Sequence, residues 1–170
     1  MHLLTGYSIV VKLGNEILTK LNMNRSDRVS SAAVDLTCAD FMNATELLER
    51  YSAGEREFKH ANLAQTNLTR ASLPGIALRG ANLKRARLAE IQLQGADLTG
   101  ANLQGSDLSS ADLTQTVLVN TNLIGANLQG AKLQGSNLAG AKLIGANLQD
   151  TDLWDASLLG GSELFNLTDN

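Results

Sequence analysis

Residues 101–120 read ANLQG-SDLSS-ADLTQ-TVLVN, and the five-residue spacing of their leucines decides the fold. The same beat runs outward in both directions. Apolar residues stand at Phe58, Leu63, Leu68 and every fifth position to Leu158, making 21 units without a slip. Two residues before each central position the side chain is small in 18 of the 21 units: twelve Ala, four Thr and two Ser, with Arg56, Ile76 and Ile91 as exceptions. The residue just before the centre is mostly polar, often Asn or Asp. The residue two after it is Gly in eleven units.

A period of five fits neither an α-helix, which repeats near 3.6, nor a flat strand, which repeats at 2. On a helix these leucines would spiral around every face and bury none. Each unit is therefore a short extended piece followed by a corner. Glycine takes the positive φ of a type II turn's third residue without steric cost, so Gly two after the centre marks the corner. Four sides then close a square coil of twenty residues, with the leucine and the small residue two before it pointing inward. Leu63, Leu83, Leu103, Leu123 and Leu143 stack as one ladder, and Leu68, Leu88, Leu108, Leu128 and Leu148 as another. The corners at Arg70, Arg85, Glu90, Gln115 and Asp150 are expected to use other turn types, because non-Gly residues resist positive φ.

Tandem A-(N/D)-L-x-x units resemble the pentapeptide-repeat family, and the match covers Phe58 to about Gly160. The resemblance implies an all-β repeat solenoid, a right-handed quadrilateral β-helix. The 21 units make about five coils, roughly 25 Å of rod at the strand spacing of about 4.8 Å. The segment Glu46-Leu47-Leu48-Glu49-Arg50-Tyr51, followed by Gly54 to Phe58, is similar to the lead-in of many cyanobacterial members with an α-helical N-terminal cap. The chain accordingly divides into an N-terminal helical cap (1–54), the solenoid (55–160) and a C-terminal cap or tail (161–170).

Within the cap, Ile9, Leu13, Ile17 and Leu21 recur every four residues and predict an amphipathic helix over 8–22, with a membrane-surface role as the alternative. A second helix is expected near 27–41. Alternatively, 34–43 holds two isolated repeat units in an offset frame. Asn43-Ala44-Thr45-Glu46 reads as a capping box before a third helix, with Leu47, Leu48 and Tyr51 as its apolar face and Gly54 as its stop. At the far end, Leu164, Phe165 and Leu167 can fold over the last coil.

The net charge of −3 is too small to imply a nucleic-acid or membrane partner by itself. One Cys and two His leave little material for a disulfide, a zinc site or a triad. No cofactor and no metal are expected. Asp150, Asp152 and Asp155 read as a solvated acidic rim rather than a calcium loop. Asp107 and Asp112 occupy the outward position just before the centre and read as repeat residues, not as a carboxylate pair. His60 has no companion, and Cys38 reads as a core-facing small hydrophobe. Asn62, Asn82, Asn102 and Asn122 should stack as an amide ladder along one face.

Two surfaces stand out. Lys59, Arg70, Arg79, Lys84, Arg85 and Arg87 make the first part of the rod basic. They form either a solubilising surface or a patch for an acidic partner. Val119, Ile124, Ile144, Trp154 and Leu159 put apolar side chains at outward positions of the C-terminal half. They form either a contact surface for a partner or a second copy, or packing under residues 161–170. The expected function is a non-catalytic structural or protein-interaction module, cytoplasmic, without a transmembrane span. It would be a monomer or a homodimer formed through its C-terminal end. The alternative is a DNA-mimic inhibitor or protector of DNA gyrase, as some relatives of this kind are. The near-neutral solenoid, +1 over 56–160, counts against it.

Overall fold

A computed structural model describes residues 8–13, 16–22 and 42–159. The chain separates into two compact units, 1–38 and 39–170.

In the first unit, β1 (Ser8–Leu13) pairs antiparallel with β2 (Glu16–Asn22), with Leu13 opposite Glu16 and Ser8 opposite Asn22. The helix expected over 8–22 is therefore a hairpin. An interval of four residues satisfies a strand's period of 2 as well as a helix's 3.6, so the spacing of Ile9, Leu13, Ile17 and Leu21 did not discriminate. The β-branched run Ile9-Val10-Val11 and a two-residue Gly14-Asn15 separation favour the hairpin. The second helix expected near 27–41 lies outside the described residues. So do the isolated units near 34–43 (all but Met42 and Asn43) and the tail 161–170.

The described part of the second unit begins with Met42, whose N–H donates to the Asn62 carbonyl at 3.1 Å. Helix α1 (Ala44–Ser52) follows. Asn43 caps it as its sequence predicts, Oδ1 accepting from Glu46 N–H at 2.9 Å. The Glu46 carboxylate pairs with Arg50 one turn on rather than closing the capping box. Leu47 is fully buried in the same core as Phe58, and Tyr51 OH donates to the Pro74 carbonyl at 2.7 Å. Arg50 lies over the Phe58 ring and Arg56 over the Tyr51 ring. Leu48 stays exposed. The helix thus packs against the first coil through Leu47 and Tyr51.

From Glu57 to Ser157 the backbone forms four parallel ladders, each rung twenty residues below the last. The first face carries Glu57, Ala77, Asp97, Val117, Asn137 and Ser157. The second runs Asn62 to Lys142, the third Asn67 to Asn147, and the fourth Ser72 to Asp152. On a side with Asn or Asp before its centre the amides are fully employed, as Ala101 to Ser106 show. Asn102 N–H donates to Ala81 of the coil before, and Leu103 and Gly105 N–H donate to Asn122 and Ile124 of the coil after. Ser106 N–H closes the turn on the Leu103 carbonyl, and Gln104 N–H donates to Asn102 Oδ1. Every central leucine from Leu63 to Leu138 is at most 2% exposed. Leu143, Leu148, Leu153 and Leu158 in the last coil are only partly buried.

The corners overturn the expectation of mixed turn types. Arg70, Arg85, Glu90, Gln115 and Asp150 all have positive φ, between 55° and 61°, as do His60, Gln65, Ser110, Asn120 and Asp155. The reason lies in the stack. From His60 to Gly135 each corner N–H reaches the next coil (Arg85 to Gln104 O, 2.9 Å). At Asp150 the carbonyl before the corner accepts from the coil before (Gly130 N–H to Gln149 O, 2.9 Å), and at every corner the following N–H closes the turn (Ala86 to Leu83 O, 3.0 Å). A type I turn would keep the closing bond but flip the central peptide, leaving the Arg85 N–H without Gln104 O and the Gln65 N–H without Lys84 O. Each orphaned donor costs about 1–3 kcal/mol, against about 1–2 kcal/mol for a left-handed non-Gly residue. Glycine is needed for a second reason at Gly80, where the His60 ring from the coil before folds over the backbone. A Cβ there would lie 2.6 Å from His60 Nδ1.

Two predictions follow from this geometry, both read by equilibrium denaturation. Leu103→Ala opens a cavity in mid-stack and should cost about 2–5 kcal/mol. Gln104→Ala, on the outside, should change stability by less than about 0.5 kcal/mol, and a reversed order would mean a frame shifted by one residue. Gln115→Gly should stabilise by up to about 1 kcal/mol by relieving the positive φ, and Gly80→Ala should destabilise by about 1–2 kcal/mol. A loss at Gln115→Gly would contradict the strained corner.

Candidate functional site

The position just before the centre has a structural task that its polarity alone did not reveal. All twelve Asn and Asp residues there, from Asn62 to Asp152, accept through Oδ1 the N–H two residues on. Each side chain satisfies an amide of its own corner, in the manner of an Asx turn. Asp107 and Asp112 are so used, binding Ser109 and Thr114 N–H. The amide ladder is shorter than its sequence suggests. Asn82 donates to Asn62 on the second face, and Asn147, Asn127 and Asp107 form a chain on the third.

Asp152 accepts from Trp154 N–H and from Gln134 Nε2, while Asp150 and Asp155 stand at the corners on either side. Among the described residues no three His, Cys, Asp or Glu converge on one point. Cys38 lies outside them.

The six basic residues are not equivalent. Lys59 pairs with Glu57 (2.8 Å), Arg79 with Asp97 (2.5 Å), and Arg70 with Glu90 through two hydrogen bonds (2.9 and 3.0 Å). Lys84, Arg85 and Arg87 have no ion-pair partner among the described residues. Arg85 and Arg87 line a shallow depression of about 310 Å³ together with Gln65 and Asn67 of the coil before. The last two were not anticipated. Their signal was the twenty-residue offset that places Gln65 above Arg85 and Asn67 above Arg87.

The apolar five fall on three faces. Ile124 and Ile144 stack on adjacent coils of the second face, Ile144 being 49% exposed. Val119 and Leu159 lie on the first face and Trp154 on the fourth, with Leu159 80% and Trp154 76% exposed. The structure brings the isoleucine pair together and sets Trp154 apart from it.

Burial pushes the Asp112 carboxyl up, but hydrogen bonds from Thr114 and Gln94 and the charge of Lys132 outweigh it and hold the group below its usual range. Asp97 behaves alike, burial again opposed by Thr99 and Arg79. Depressed carboxylates give stability that is present above their unfolded value, near 3.9, and is lost as pH falls through the folded value. The solenoid should thus weaken below about pH 4. Asp112→Asn retains an Oδ1 for the turn and should flatten that decline; an unchanged pH profile would show that its ionisation is not coupled to folding.

The family model for pentapeptide repeats matches eight copies, over residues 57–85, 77–115 and 121–158. The solved pentapeptide repeat protein Rfr23 from the cyanobacterium Cyanothece 51142 is 32% identical, with a TM-score of 0.61 over 67% of this chain and 94% of that one. The pentapeptide repeat protein alr5209 from Nostoc PCC 7120 is 33% identical, with a TM-score of 0.59 over 69% and 97%. A pentapeptide repeat protein of the Arabidopsis thaliana thylakoid lumen, 24% identical over 67% and 77%, shares the fold at a TM-score of 0.50. Among curated proteins there is no match. A five-residue frame closed by twenty-residue ladders, and two relatives spanned almost end to end, lead to one conclusion: the chain belongs to the pentapeptide repeat family, whose members form right-handed quadrilateral β-helices.

Proposed function

We propose that the solenoid is a non-catalytic protein-interaction module that makes contact through the C-terminal part of its second face. The observation that carries this reading is the stacked pair Ile124 and Ile144. These aliphatic side chains hold outward positions on adjacent coils of a flat, regular face. Contiguous apolar surface on a rigid support is what a protein contact uses, whereas single exposed apolar residues need no explanation. The carboxylates that an acid–base reaction would need are already employed: Asp107 and Asp112 bind their own corners.

A DNA-mimic role would require rows of carboxylates in place of phosphates. The fourth-face ladder instead runs Asp112, Lys132, Asp152, and the third runs Arg87, Asp107, Asn127, Asn147. Alternating signs and neutral amides favour the general interaction reading over that one.

The test is self-association, the simplest contact such a face can make. Ile144→Lys should abolish it, as read by light scattering across a concentration series, while circular dichroism stays unchanged. A wild-type chain that remains strictly monomeric at high concentration would overturn the isoleucine pair as a contact surface.

A further inference from the structure

Arg87 stands in one of nine units that depart from the Asn or Asp of its position, and on its own face it lies between Asn67 and Asp107. Twelve of the units place Asn or Asp there and gain a hydrogen bond to their own corner, a bond that a guanidinium, which has no acceptor, cannot form. The Ala89 amide therefore lacks the partner that Thr69 finds above it and Ser109 below it on the same face. A local structural rule broken without a compensating contact is expected where a site serves function.

The break is not isolated. Arg85, two residues earlier, holds a corner at φ 55° where the two corners beneath it on that edge are Gly105 and Gly125. Between the two arginines Ala86 is buried, so both guanidinium groups stand outward on the same edge of one coil, with Lys84 beside them. The acids nearby hold other partners: Asp107, below Arg87, accepts from Ser109 N–H and Asn127 Nδ2 through Oδ1 and makes no ion pair with Arg87, and Glu90 holds Arg70. Gln65 and Asn67 form the other wall of the depression.

We infer that this edge binds an acidic peptide segment of a partner protein, in extended conformation, with carboxylates two residues apart. Arg85 at the corner and Arg87 on the side that follows stand two positions apart with Ala86 buried between them, and an extended peptide presents alternate side chains on one face, about 6–7 Å apart. Each guanidinium presents a planar fork to one carboxylate. Lys84 adds charge, and the Gln65 amide adds a donor from the coil above. The inference rests on the reading of the solenoid as an interaction module but not on its isoleucine pair, which lies further along the rod.

The probe is a fluorescein-labelled Gly-Glu-Gly-Glu-Gly peptide, with Gly-Glu-Gly-Gly-Glu-Gly and inorganic phosphate as comparison ligands, titrated against the full chain by anisotropy or competition. The Glu-x-Glu peptide should bind saturably and weaken as salt rises. The wider spacing should bind several-fold more weakly. Arg85→Ala with Arg87→Ala should lose about tenfold or more. Lys132→Ala with Lys142→Ala should leave binding unchanged, and so should Ile144→Lys, which separates this site from the isoleucine contact. Equal binding by both peptide spacings, equal binding by the double arginine variant, or phosphate competing as well as the peptide would overturn the proposal. No saturable binding at millimolar peptide would overturn it as well, and would leave the isoleucine contact standing.

Discussion

The structure depends on the corner, where one amide donates to the next coil and the following amide closes the turn. Sixteen successive corners from His60 to Gly135 repeat this pair of bonds, the last four to Asp155 keep the closing bond, and all twenty have positive φ. The requirement is set by the stack, not by the residue. Arg85 takes the same left-handed geometry as Gly105 beneath it, because any other turn would leave two donors without acceptors in a rod that has few to spare. The solenoid tolerates strain at ten non-Gly corners because each is joined to its neighbours by bonds that fail together.

Once the corner and the central leucine are fixed, two of five side chains in each unit are committed to the lumen. The position just before the centre is half-committed, since Asn or Asp there completes the hydrogen bonding of its own turn. What remains free is a set of outward positions in a regular grid, about 4.8 Å apart along the rod. Recognition has to be written on that grid. Departures from the local rule, an arginine where an Asx side chain belongs or an isoleucine beside a corner, are therefore more telling than any single polar residue. The paired cations show the contrast: Arg70 with Glu90 and Arg79 with Asp97 neutralise each other across adjacent coils, whereas Arg85 and Arg87 remain available.

Much of this was legible in the sequence because the fold is periodic. The leucines at every fifth position define the inside, and the twenty-residue stack follows once four sides close a coil. Two features were not legible. Positive φ at Arg70 or Gln115 contradicts the preference of those residues, and only the hydrogen bonds of adjacent coils explain it. The hairpin of β1 and β2 was hidden by an interval of four, which satisfies a helix and a strand equally. The candidate surfaces were visible as composition but not as geometry. Sequence grouped six basic residues, and only the ion pairs divide them into three that are satisfied and three that are not. It likewise grouped five apolar residues that the ladders distribute over three faces.

Native-state amide hydrogen exchange, resolved residue by residue, tests the central claim most directly. If every corner is closed by the stack, the amides of Arg85 and Gln115 should exchange as slowly as those of Gly105 and Gly135, and Leu103 should match Leu83 and Leu123. Gln104, held by Asn102, should be protected, whereas Ala89, which follows Arg87, should exchange fast. Fast exchange at the Arg85 and Gln115 amides beside slow exchange at the glycine corners would contradict the account, because it would mean that the coils are not joined there.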